Sequence, residues 1–509
     1  MIQRRHLLCT ALLATQLPRA FAASAPLNDE ERALHALNRL GFGPRPADAQ
    51  AMASMGARAW LDQFLEQQLN PQSLSLPQAL TERLQAMDTL TLDQGQLYGR
   101  FREAQKLDRE AKAAGKKDEE NARRELVRPV VQQAAANRLL RALASPAQLE
   151  EVLVDFWFNH FNVYAGKGPV SVWVGSYERE AIRPHVLGSF RAMLGATAKH
   201  PAMLFYLDNA ESVAPGFQPR GRRLGGGVRN ANQRANGLNE NYAREVMELH
   251  TLGVDGGYSQ QDVTQLARML TGWTFDPRAT SGPMFRFAAD RHDGGHKTWL
   301  GYSVDSGGQS EGESALDVLA AHPSTAKHIG FQFAQAFVAD DPPPALVKRL
   351  ADRFMASKGN LRELTQCLIE SDEFWSREAY QSKFKTPYQY LLSSLRAVKT
   401  VDAVPPDTQL LMGSLSQAGM PLYGALTPDG YKNTAAAWMN PEALAQRIQF
   451  AQTLSDRIRR RPAMAGRATD ELLATLGPTV SKDTRQSVSA EPAPQQLALL
   501  LGSPDFMRR

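Results

Sequence analysis

Two glutamates one helical turn apart carry the clearest chemistry in this sequence. Over residues 237–253, Tyr242, Val246 and Leu249 recur at i, i+4 and i+7 and predict a helix with one apolar face. Asn239 stands where it can cap the helix start, and Gly253 where it can end it. Opposite the apolar face, Asn241, Arg244, Glu245 and Glu248 form a polar stripe. Like charges at that spacing repel unless something bridges them. A bridge from Arg244 to Glu240 and Glu248 is the structural reading; a proton shared between the carboxylates, or a metal, is the functional one. His250 follows Glu248 by two residues, so the Glu-x-x-His spacing of di-iron bundles is not completed. The sequence names neither a metal nor a cofactor.

Two further segments place polar groups where a plain core helix has no use for them. Glu151-Val-Leu-Val-Asp-Phe-Trp-Phe-Asn-His-Phe-Asn162 is apolar in almost every direction, the mark of a buried helix. Asp155, Asn159 and Asn162 nevertheless line one side, with His160 beside them. A buried polar group left unbonded costs about 1 to 3 kcal/mol, so this stripe must meet partners, water or a ligand. Tyr177-Glu-Arg-Glu-Ala-Ile-Arg-Pro-His185 packs two carboxylates and two guanidiniums before Pro184 breaks the helix and turns Arg183 and His185 out of register. That corner is either a pocket wall or a solvated charged face. The three segments are expected to converge on one polar pocket, in which Glu245 or Glu248 serves as acid or base with His160 or His185 assisting. Asn159, Arg183, Asn241 and Arg244 are then available to hold a substrate.

The elements that must position these groups are almost all helical. Apolar periodicity recurs along the chain, as in Leu34, Leu37, Leu40 and in Leu346, Leu350, Phe354, and predicts a mostly α, multi-helical globular body. Between 284 and 304, Phe285, Phe287, Trp299 and Tyr302 flank Gly-rich turns and predict a small β-hairpin insertion. Residues 101–127 are dense in mixed charge and read as exposed helix held by pairs such as Asp108 with Lys112 and Glu120 with Arg124. At 211–237, glycines and five arginines with almost no large apolar residue predict a mobile loop and the first site of tryptic cleavage. Its glycine triplet neither follows a strand nor ends in Lys-Ser/Thr, so a phosphate cradle is not supported. The main helical domain is bounded at 23–461, with a flexible linker at 462–492 and a C-terminal segment at 493–509.

Composition bounds the function classes. Across 509 residues, 43% are hydrophobic and 22% charged, ordinary globular values that exclude collagen, coiled coil and wholesale disorder. The formal charge is +5, but residues 1–22 hold Arg4, Arg5 and Arg19 and no acid, leaving 55 basic against 53 acidic residues and a balance of +2. That removes the argument for a nucleic-acid partner. Those 22 residues carry Arg4 and Arg5, an apolar run from Leu7 to Leu17 and Ala20-Phe21-Ala22, the three parts of a cleaved export signal. The paired arginines and weak apolar stretch favour the twin-arginine route, although Gln3 and Leu7 depart from its usual pattern. The mature chain is expected to be periplasmic or secreted, without a transmembrane anchor. Cys9 lies in the signal, so only Cys367 remains and no internal disulfide can form; sharing a face with Leu361, Leu364 and Leu368, it reads as a structural thiol.

Several ordered motifs carry a family likeness. Trp157-Phe-Asn-His-Phe161, the 177–185 segment, Leu238-Asn-Glu-Asn-Tyr-Ala-Arg-Glu245 running into Glu248-Leu-His-Thr-Leu-Gly253, Leu270-Thr-Gly-Trp-Thr274, Arg291-His-Asp293 with Lys297-Thr298, and Thr427-Pro-Asp-Gly-Tyr431 together resemble the bacterial family catalogued as domain of unknown function 1800. The likeness spans about Leu34 to Phe450. It implies an exported, mostly helical protein with no agreed activity, and it adds His292 and Asp293 to the candidate binding residues. His296 stands where proline is more usual and is not carried over. The resemblance also implies a partner, an exported protein of the family domain of unknown function 1501, whose genes often neighbour those of the family. Two functions stand: an envelope hydrolase working by general acid/base chemistry, or a non-catalytic binding or assembly protein whose polar network fixes the fold.

Overall fold

The computed structural model describes residues 25–115, 121–217, 237–398, 407–460 and 467–509. Helices joined by short turns dominate, and one contiguous apolar core runs through them. Local chemistry sets many of the helix starts. Asn28 caps Asp29–Arg39 and exchanges reciprocal hydrogen bonds with Glu31. Pro323, Pro387 and Pro441 open the helices Pro323–Phe337, Pro387–Ala397 and Pro441–Arg459, where a missing N–H costs nothing. Leu34, Leu37 and Leu40 are buried, as are Leu346, Leu350 and Phe354, in keeping with their spacing.

The strand content differs in detail from a single hairpin. Strand β1 (Trp273–Phe275) pairs antiparallel with β2 (Phe285–Phe287), and β3 (Lys297–Trp299) with β4 (Tyr302–Val304), giving two separate two-stranded sheets. Phe285 and Phe287 therefore find their partners upstream of the predicted segment. Gly272, at φ +82°, lets the chain close tightly there: its carbonyl accepts from the Ala288 amide at 2.8 Å, and a Cβ on residue 272 would lie 2.6 Å from the Ala288 oxygen.

One boundary expectation and one pairing change. The stretch 462–492 is no linker over its described part, because Ala468–Leu476 and Lys482–Ser489 are helices that bury Leu472, Leu476 and Val488. Their apolar stripe is sparse and was masked by polar neighbours. Within 101–127, Asp108 of the helix Gln94–Ala113 pairs with Arg123 of the helix Asn121–Leu126 at 3.4 Å rather than with Lys112, while Glu120 lies outside the described residues. Of the Gly/Arg segment, 218–236 lies outside them, as does 1–24; the flanks are anchored, with the Ala214 amide donating to the Arg291 carbonyl at 2.8 Å. Cys367 is half-buried, and burial raises its thiol pKa. Among the described residues no helix is long and apolar enough to cross a membrane.

Candidate functional site

The polar stripe of the helix Gln148–His160 clamps a loop. Asn159 donates through Nδ2 to the Tyr431 carbonyl at 2.9 Å and accepts from the Tyr431 amide at 2.7 Å, so its amide imitates a neighbouring strand. Two residues past that helix, Asn162 donates to the carbonyls of Ala425 and Thr427 at 3.1 and 2.9 Å. Gly430 sits between these clamps at φ +64°, where a Cβ would lie 2.5 Å from both oxygens of Asn159. The motif around residue 429 thus takes its position from the motif around residue 159.

Behind the stripe lies an ion network. Arg183 holds Glu151 through two bonds of 2.8 and 2.9 Å and reaches Glu178 at 3.0 Å. Glu178 also accepts from the Tyr423 hydroxyl at 2.9 Å and lies 3.6 Å from Arg138, which binds Asp155 at 2.6 Å. Burial opposes charge on Arg183, but Glu151, Glu178 and Glu150 outweigh it and hold the guanidinium protonated. For Asp155 burial wins over Arg138, and its carboxyl is raised. The chain reaches this geometry because Glu178–Ile182 forms a π-helical turn that Pro184 then breaks. His185, beyond the break, is half-buried, its pKa lowered by burial, and its ring has no hydrogen-bond partner among the described residues.

His160 belongs to a different cluster. Its Nε2–H donates to the His250 carbonyl at 3.1 Å, while Nδ1 faces the Gln332 amide at 3.3 Å. His328 uses Nε2 on the Leu249 carbonyl at 3.1 Å and meets the same amide at 3.0 Å. The His250 and Leu249 carbonyls each call for Nε2–H on the ring that faces them. Burial pushes His160 down to about 4 and lowers His250 and His328 as well, so all three are neutral imidazoles at pH 7.

Glu245 and Glu248 take a third position. The helix Asn241–Glu245 passes into a π-helical turn over Val246–His250, after which Gly253 reverses the chain at φ +83°. Arg244 pairs with Glu240 at 3.3 Å and Gln260 at 2.9 Å and does not bridge to Glu248. The Asn241 side chain donates to the Leu207 carbonyl at 3.4 Å. Among the described residues neither Glu245 nor Glu248 has a hydrogen-bonding partner. Glu245 is half-buried, and its pKa is raised by burial first and by the charge of Glu248 second. It also feels Asp429, carried there by the clamped loop. Burial would raise Asp429 too, but Lys432 at 2.7 Å and the Thr427 hydroxyl at 2.5 Å overcome it and hold that carboxyl low. Tyr206 lies beside both carboxylates.

His292 and Asp293 tie the small sheets to the body. His292 bridges the Thr271 carbonyl and Glu311, each at 2.9 Å, and Asp293 receives Arg268 at 2.7 and 3.2 Å. Glu311 is shared with Lys297 at 2.6 Å, both side chains being almost wholly buried.

The ten candidates are therefore distributed rather than gathered. Asn159 lines a cleft with Asp155, Arg138, Tyr388, Tyr431 and Arg509; Arg183 stands one carboxylate behind it. His160, His185, Glu245 and Glu248 do not line that cleft. The residue missed from sequence is Asp429, quoted there only as part of a motif, and its signal lay in the Thr-Pro-Asp-Gly turn that aims it. Among the described residues no group of three or more His, Cys, Asp and Glu side chains is arranged to hold a metal ion.

Comparison with known families agrees with the motifs. The model described as "Protein of unknown function (DUF1800)" matches residues 35–508. The chain belongs to that family. The matched region reaches past residue 461, so the C-terminal helices are part of the DUF1800 domain and not an appendage. No curated protein and no solved structure matches the chain.

Proposed function

We propose that this DUF1800 protein is an exported hydrolase in which Glu245 gives a proton to the leaving group and Asp429 takes one from the attacking water. One observation carries the reading: two carboxylates within electrostatic reach of each other have pKa values displaced in opposite directions, Glu245 up and Asp429 down. Environments that separate a pair in this way assign one member as acid and the other as base. Burial first and repulsion from Glu248 second shift Glu245 towards its protonated form, and Lys432 with the Thr427 hydroxyl holds Asp429 low against burial. The hydrogen bonds that tie up Arg183, His160, His292 and Asp293 favour a supporting role for those four.

The pH dependence follows in sign. Activity rises as pH climbs through the low pKa of Asp429, which must be deprotonated, and falls as pH climbs through the raised pKa of Glu245, which must be protonated. The test is a panel of chromogenic glycosides, esters and peptide anilides offered to purified mature protein. Glu245→Gln and Asp429→Asn should each lower kcat/KM at least ~100-fold with unchanged Tm. Glu245→Gln should also remove the alkaline limb of the profile. Turnover by the wild type no better than by the double variant on every substrate would sink the hydrolase and favour the alternative, assembly with an exported protein of the family domain of unknown function 1501.

A further inference from the structure

We infer that the cleft between the helix Gln148–His160, the start of Pro387–Ala397 and the 420–433 loop binds the carboxylate end of an α-amino acid with an apolar side chain, free or at a peptide C-terminus. The site adjoins the Glu245–Asp429 pair, since Lys432, which holds Asp429, also lines the cleft. Its walls are aromatic, with Phe156, Phe337, Tyr388 and Tyr431 facing it. Of the charged groups that line it, Arg138, Asp155 and Lys432 are ion-paired, while Arg509, only 6% exposed, is not. Nη2 of Arg509 donates to the Ala336 carbonyl at 2.8 Å, but Nε is buried without a partner. Nη1 has no hydrogen bond either, and no carboxylate lies within ion-pair distance of this guanidinium among the described residues. Arg138, in contrast, is neutralised by Asp155 and Glu178.

The surroundings deepen the deficit of negative charge. Arg39, Lys383 and Lys385 all feel the charge of Arg509; Asp155 and Asp340 oppose it from a distance, but Asp340 is already taken by Lys383 and the Ala435 amide. A buried cation with no carboxylate in direct contact is costly, and a carboxylate brought into the cleft would lower that cost. A planar carboxylate also matches the guanidinium fork better than a spherical anion does.

The second polar group fixes the rest of the ligand. Asp155 lines the cleft and keeps one oxygen, Oδ2, free of hydrogen bonds, with Oδ1 on Arg138. An acceptor beside a guanidinium suits a ligand that carries a donor next to its carboxylate, which is the arrangement of an α-amino acid. The Tyr388 hydroxyl is likewise unpartnered among the described residues. The aromatic walls then receive the apolar side chain.

Calorimetric titration of the full mature chain tests this with four probes. L-Phenylalanine should bind, while phenylalaninamide, lacking the carboxylate, and 3-phenylpropionate, lacking the amino group, should each bind at least ~10-fold more weakly, the worth of one charged hydrogen bond. Alanyl-phenylalanine binding as well as phenylalanine identifies a peptide terminus; binding of free phenylalanine alone identifies the amino acid. Arg509→Gln should cost phenylalanine at least ~10-fold, and Tyr388→Phe a smaller loss. Equal affinity for phenylalanine and its amide, no binding of phenylalanine, or unaltered binding by Arg509→Gln overturns the inference. If Arg509→Gln does not fold, the comparison of ligands on the wild type decides alone.

Discussion

Arg183 shows what a single side chain can hold in place. It is the cation for buried Glu151 and the nearer of two for buried Glu178, which Arg138 reaches at 3.6 Å. Removing one partner of a buried pair leaves an uncompensated charge, so Arg183→Met should destabilise by about 3–5 kcal/mol in urea unfolding, and Arg183→Lys should recover only part because an ammonium cannot bind two oxygens in a plane. A change within experimental error would mean that the two acids are solvated. Residues of this kind were legible as anomalies but not as pairs. The sequence marks Asp155 and Asn159 as polar groups on a buried helix, because burial can be read from the periodicity around them, and leaves Arg183 in either a pocket wall or a solvated face. It does not say that Asp155 meets Arg138, that Tyr423 closes on Glu178 or that Asp429 arrives beside Glu245, since these contacts join distant segments and leave no local spacing behind.

At the scale of elements, helices were recoverable wherever leucines and aromatics repeat with helical period, and the break at Pro184 follows from its ring. The two π-helical turns were not recoverable. An extra residue in a turn, as over Glu178–Ile182 and Val246–His250, leaves no mark in composition, yet it rotates the side chains that follow. The loop 420–433 offers the sharpest test of element positioning. Gly430→Ala would place a methyl group 2.5 Å from Asn159 and force a left-handed backbone on alanine, at about 1–3 kcal/mol. The Tyr431 amide, which donates to Asn159, should then lose hydrogen-exchange protection while amides of the core helix Pro323–Phe337 keep theirs. Protection unchanged at Tyr431 would mean that the clamp does not hold the loop.

For the whole molecule, buried neutral histidines set the acid limit. His160 is pushed down to about 4 and His200 to about 3, and His35, His250 and His328 are lowered too, all chiefly by burial. In the unfolded chain each titrates near 6.5. Between that value and the folded ones the unfolded state binds more protons, so stability is full above about 6.5 and is lost as pH falls towards about 4. His160→Gln should flatten that slope in Tm measured against pH; an equal slope would place the loss in other groups. Export can be tested on the same scale, since lysines at both Arg4 and Arg5 should strand unprocessed precursor in the cytoplasm. Mature protein still reaching the periplasm would exclude twin-arginine dependence.

The clamped loop has one more consequence. Tyr431 faces the cleft and Asp429 faces Glu245, with a single glycine between them and no slack, because Asn159 and Asn162 grip the backbone on either side. Two places on the surface are thereby geared to one short lever. Anything that resettles Tyr431 must also nudge Asp429, and thermodynamic reciprocity requires the converse: the protonation state of Asp429 would be felt as a change in how tightly the cleft holds its occupant.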